Sequence, residues 1–124
     1  MVRAGDAAFE LARKQYPAAR HWLILCGHGN NGGDGYIVAS RALAAGLNVT
    51  LIACPGNRPL PAEAHQAQSQ WLAAGGVIHQ PDTPWPQHID LIIDALLGIG
   101  LRAAPQGVYA TLIDTANRHR AAKV

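Results

Sequence analysis

Leu25–Leu43 reads LCGHGNNGGDGYIVASRAL, and the fold turns on it. It follows the apolar run His21–Cys26 (HWLILC), which is short and unbroken, as in a strand buried on both faces. Asp34–Ala45 is helical in composition and is closed by Gly46. Between strand and helix lie Gly27, Gly29, Gly32 and Gly33, with His28, Asn30 and Asn31. Glycines permit positive φ and let a ligand approach the main chain. The amino end of the following helix offers unpaired N–H groups and partial positive charge, so the stretch predicts a cradle for an anionic ligand.

Outward from this loop, strand-like and helix-like runs alternate. Val2–Tyr16 has Phe9, Ala12 and Tyr16 at helical spacing and stops at Pro17. Asn48–Cys54 (NVTLIAC) is a second strand, and Pro61–Ala74 a third helix that ends at Gly75-Gly76. Val77–Gln80 reads as a short strand, and Pro81–His88 as a proline-rich connection. Ile89–Gly98 contains a further strand ending near Asp94, Gly107–Asn117 a helix, and Ala121–Val124 the start of another strand. The alternation predicts parallel βαβ units in an open, doubly wound α/β sheet. Such sheets bind ligands beyond the carboxyl ends of their strands, where the glycine loop sits.

Composition excludes several functions. The 124 residues suit one domain, and 49% hydrophobic content supports a core. A net charge of +2 is too balanced for a nucleic-acid surface. No apolar run reaches the ~18 residues of a membrane span. Cys26 and Cys54 lack metal-ligand spacing and read as buried thiols of a reducing, cytoplasmic compartment. His21, His65, His79, His88 and His119 show no ligand spacing either. Ser40 and Ser69 lie outside any Gly-x-Ser-x-Gly turn, which argues against a covalent hydrolase.

Gly27-x-Gly29-x-x-Gly32 matches the dinucleotide fingerprint. That fingerprint also requires an acidic residue after the second strand, and no Asp or Glu occurs between Asp34 and Glu63. A conventional nicotinamide dehydrogenase is therefore disfavoured, and a P-loop is absent. Asn30, Asn31 and Asp34 offer more oxygen atoms than a phosphate cradle needs. They suit a hard cation, although asparagines also favour turns and Asp34 would equally cap the helix. A second cluster is DALLGIGLRAAP, Asp94–Pro105. A carboxylate closing an apolar run needs a partner, and a cation shared with Asn31 would supply one. The alternative is that Asp94 caps a turn. His28 is either a ligand contact or a solvated loop residue. Trp71 fits the core better than a cofactor stack.

Taken together, GHGNNGGDGYIVASRAL and DLIIDALLGIGL resemble the YjeF N-terminal domain family, the NAD(P)H-hydrate epimerases; RAGDAAFELA is similar to that family's first helix. The resemblance implies a Rossmann-like three-layer α/β/α fold with a mostly parallel sheet, usually dimeric. It also implies interconversion of the R and S epimers of hydrated NADH and NADPH, ahead of a fused or separate dehydratase. Carried over by motif, Asn30, Asn31, Gly32, Gly33 and Asp34 would contact the hydrated dinucleotide. Gly98, Ile99, Gly100, Leu101, Arg102, Ala103 and Ala104 would line its other side. Asn31 and Asp94 would ligate a potassium ion. The family often has Thr or Phe where this chain has Ile99, and continues beyond the final strand into an Asp-Ile-Pro-Ser-Gly motif. Residues 1–124 are thus expected to be one YjeF-like domain truncated at both ends. The alternative is a YjeF-like module that binds a nucleotide or a protein without turnover.

Overall fold

The computed structural model describes residues 2–56, 58–96 and 122–123. Helix α1 (Val2–Gln15) precedes strand β1 (His21–Cys26), helix α2 (Asn30–Ala44), strand β2 (Asn48–Ala53), helix α3 (Ala62–Ala73), strand β3 (Leu91–Ala95) and strand β4 (Ala122–Lys123). The sheet order is β2-β1-β3-β4, and every pairing is parallel. The expected Val77–Gln80 strand is reduced to one parallel bridge, His79 to Ile52. That bridge still occupies the next position outside β2. The chain therefore steps outward from β1 to β2 to His79, then returns to place β3 on the other flank of β1. This is the Rossmann-like arrangement, with its switch point between β1 and β3. The helix read over 107–117 and the cluster from Gly98 to Pro105 lie outside the described residues.

Burial explains why the apolar runs became strands. Trp22 to Cys26 are fully buried, with alternate side chains on opposite faces. Trp22, Ile24 and Cys26 face the helices beside Phe9, Tyr36, Ala39, Ala42 and Trp71. Leu23 and Leu25 face the other way with Ile52, Ile92 and Leu96, and Trp85 of the proline-rich connection packs there. Burying each large apolar side chain stabilises by roughly 1.5–3 kcal/mol. The described helices thus form one layer, against one face. Gly46 and Gly75, at φ 84 and 92, end α2 and α3. Leu47 N–H donates to the Ala42 carbonyl and Gly76 N–H to that of Trp71, the paired closure that left-handed glycines permit. Trp71 is buried and its Nε1 donates to the Val77 carbonyl at 3.2 Å, so it is a core residue. Both cysteines are free and buried. Among the described residues, no helix is long and apolar enough to cross a membrane.

Candidate functional site at the carboxyl end of the sheet

Glycine is required in the loop for a reason other than the positive φ that the sequence predicts. None of the described loop glycines has positive φ. At Gly27 and Gly32 the role is close approach. A Cβ on Gly27 would strike the Leu96 carbonyl, and one on Gly32 would strike the carbonyl of Gly27. A Cβ on Gly35 would lie 2.6 Å from the Cys26 sulfur and 3.1 Å from the Ala95 Cβ. The glycines let the first turn of α2 settle onto the exits of β1 and β3. Gly27 N–H donates to the Ala95 carbonyl at 2.9 Å, which joins the loop to β3 directly.

Helix α2 also begins earlier than expected. Gly29 is its N-cap and Asn30 its first residue, so Asn30, Asn31, Gly32 and Gly33 are helical. Asp34 therefore stands inside the helix, and the capping reading is corrected. Its carboxylate is half-buried, and Oδ1 has no hydrogen-bond partner among the described residues. Burial, and after it the nearby Glu63 charge, pushes this carboxyl above the usual range. A buried carboxylate oxygen with no hydrogen-bond partner among the described residues is a costly feature.

Asp94 lies in β3 opposite Leu25, one residue before the strand ends. The sequence reading made it a buried carboxylate in need of a partner. It is instead exposed, and its Oδ1 accepts the Leu96 N–H at 3.1 Å. The turn-capping reading describes that contact, while exposure leaves the carboxylate open to solvent. Leu25 adjoins Asp94, and Asn30 and Asn31 open the helix four residues beyond Cys26. The first turn of α2 and the Asp94 end of β3 thus come to one end of the sheet, across the β1/β3 switch point. Gly98 to Ala104 lie outside the described residues.

His28 is not a solvated loop residue. Its Nε2 is hydrogen-bonded to the Arg58 carbonyl, and its ring packs so closely on Gly56 that a Cβ there would collide with it. It thereby ties the β1 exit to the β2 exit. Beside it, between these exits and α3, a cavity of about 250 Å³ opens. Tyr36, Cys54, Gln68 and Gln80 line it, and the Gln68 Nε2 donates to the Tyr36 hydroxyl at 3.1 Å. Burial raises the Tyr36 phenol to about 12 and the Cys54 thiol to about 11, so both stay neutral near pH 7. Sequence reasoning missed this cavity. Gln68 is the one of three glutamines in α3 that falls at helical spacing from both Ala64 and Trp71, a signal that the sequence reading did not use.

Comparison with known proteins adds independent findings. The family model for YjeF-related protein N-terminus matches residues 1–124. The chain is 59% identical over 121 residues to the bifunctional NAD(P)H-hydrate repair enzyme Nnr of Escherichia coli K12, covering 98% of this chain and 24% of that protein. It is 40% identical over 121 residues to the NAD(P)H-hydrate epimerase of Bordetella pertussis strain Tohama I, covering 97% and 52% respectively. The chain therefore spans between about a quarter and a half of the length of these relatives. The crystal structure of yeast ynu0, YNL200c, superposes with a TM-score of 0.76 at 20% identity, over 90% of this chain and 51% of that one, which supports the fold.

Proposed function

This chain belongs to the family of YjeF-related protein N-termini, and on that premise we propose that it carries the epimerisation of hydrated NADH and NADPH in cofactor repair. The observation that carries the proposal is convergence. The Asn30–Asp34 start of α2 and the Asp94 end of β3, each from a cluster that the sequence singles out, lie at one end of the sheet across its switch point. Relatives named as NAD(P)H-hydrate epimerase or bifunctional repair enzyme support it.

The chemistry suits such a crevice. In the hydrated cofactor a hydroxyl sits on a ring carbon bonded to nitrogen. The nitrogen lone pair expels that hydroxyl as the C–O bond breaks, and a proton joins it to leave water. Water then adds to the other face of the resulting iminium and gives up a proton. The amino end of α2 would hold the pyrophosphate. Asp34 would stabilise the positive ring, its carboxylate gaining from the charge that forms. A potassium ion bound by Asn31 and Asp94 fits the exposed carboxylate of Asp94, and would contribute fixed positive charge beside the phosphates. Gly98 to Ala104 would close the other side. A homodimer, a cytoplasmic location and a dehydratase partner, fused or separate, complete the reading.

The test follows the R to S ratio of hydrated NADH with the intact protein in potassium buffer. Equilibration with entry of one labelled solvent oxygen is the expected result. An unchanged ratio with retained binding would mark a binding module instead, and equilibration without label would exclude loss and return of the hydroxyl. For potassium, thermal stabilisation of the wild type by the ion, absent in Asp94→Ala, is the expected readout; an equal response in both would remove Asp94 from the ion.

A further inference from the structure

We propose that the cavity between the β1 and β2 exits is the pocket for the adenine base of the dinucleotide, read by the side-chain amides of Gln68 and Gln80. The inference deepens the dinucleotide reading and rests on it. Position is the first argument. The cavity opens beside Gly27 and His28, on the β2 side of the loop whose helix faces the phosphates. A dinucleotide laid across the switch point must extend one nucleoside toward β2 and the other toward β3. Size is the second. About 250 Å³ falls below the ~300–1,000 Å³ of pockets that enclose whole drug-sized ligands, so it holds one heterocycle and not two nucleosides.

Chemistry decides which heterocycle. The walls at Cys54 and Ile78 are apolar, as a flat ring system requires, and the polar groups are neutral amides and a phenol. A glutamine amide presents a donor and an acceptor side by side, the complement of the adenine N6 amine and its neighbouring ring nitrogen. Donation from Gln68 to the Tyr36 hydroxyl uses one N–H and sets the orientation of the amide. The reacting nicotinamide ring has other needs. Its iminium calls for anionic oxygen, and among the described residues no Asp or Glu lines this cavity, whereas Asp94 stands at the β3 exit. The base therefore goes to β2 and the reacting ring to β3. The β2 exit reads Ala53-Cys54-Pro55, so the amides do the work that a dehydrogenase assigns partly to a carboxylate on the ribose.

The experiment titrates the intact protein with AMP and, separately, with nicotinamide mononucleotide, and observes the side-chain amide resonances of glutamine by NMR. AMP is expected to shift Gln68 and Gln80, and nicotinamide mononucleotide to leave them in place. Gln80→Leu, on an exposed residue, is expected to raise the KM for hydrated NADH about tenfold with kcat held. Gln68→Leu should do the same where circular dichroism shows the fold intact. Unmoved amides with AMP, movement with nicotinamide mononucleotide, or a wild-type KM in Gln80→Leu would overturn the assignment. The AMP arm needs no turnover. Its failure beside normal epimerisation sinks only the base pocket, and its success beside absent epimerisation sinks only the proposed reaction.

Discussion

Asp90 and Asp34, at opposite ends of the sheet, are treated in opposite ways. At the amino end, Asp90 accepts the main-chain N–H groups of Arg20 and His21 at 2.9 and 3.0 Å, and pairs with His88 at 3.0 Å. His21 is further hydrogen-bonded to Thr50, and the Trp22 Nε1 donates to the Ala19 carbonyl. At the carboxyl end, Asp34 has a buried oxygen without a partner among the described residues. The His21 N–H, followed by that of Arg20, holds the Asp90 carboxyl below its usual range, while burial holds that of Asp34 above it. One end spends its polar groups on joining β1 to β3. The other leaves the Asp34 oxygen available at a cost in stability, which is the usual signature of a working site.

The glycine loop offers the largest test of this contrast. Gly27→Ala forces a methyl against the Leu96 carbonyl and is expected to cost about 2–3 kcal/mol in urea unfolding. It should also abolish binding of hydrated NADH, since α2 must retreat from β3. Gly29→Ala meets nothing within 4 Å and should cost under ~0.5 kcal/mol. Equal losses would mean that close approach is not what the loop requires.

The carboxylates provide the next test. Asp90→Ala should destabilise by about 1 kcal/mol at pH 7, the modest value reflecting its partial exposure. The Asp90 pKa is lowered by folding, so its contribution is complete above the unfolded value of about 3.9 and disappears as pH falls through the lower folded value. Asp34 has the opposite sign. Its folded pKa is raised, so its cost is absent below about pH 3.9 and grows as pH rises toward the folded value. Asp34→Asn should therefore hold or gain stability at pH 7, with the advantage shrinking in acid, while binding of hydrated NADH weakens. A loss of stability at pH 7 would show that Asp34 has a structural partner. The smallest effect is expected at Arg41, which bonds Asp6 at 2.8 Å and Glu10 at 3.0 Å and lies 4.9 Å over the Phe9 ring. These groups are partly exposed, so Arg41→Ala should cost roughly 0.5–1 kcal/mol and leave ligand binding alone.

The sequence revealed the backbone plan more fully than the site. HWLILC, NVTLIAC and the glycines after α2 and α3 carry local signals, in continuous burial and helix closure, that need no tertiary context. Even the Ala122–Lys123 part of AAKV forms β4 against Leu91 and Ile92. The His79 bridge was readable only as a strand, because pairing depends on what β2 presents. Asp34 was misplaced because Asn30 and Asn31 resemble turn residues, and only packing of Gly27 and Gly32 shows that the helix has already begun. The cavity was invisible, since Gln68 and Gln80 acquire meaning from elements far apart in the chain.

Backbone amide shifts of the intact protein, recorded during titration with hydrated NADH, test the division of the sheet most directly. The expected shifts fall on Gly27–Asp34 and Asp94–Leu96, with Arg20, His21 and Asp90 unmoved. Shifts centred on Arg20, His21 and Asp90 would contradict it.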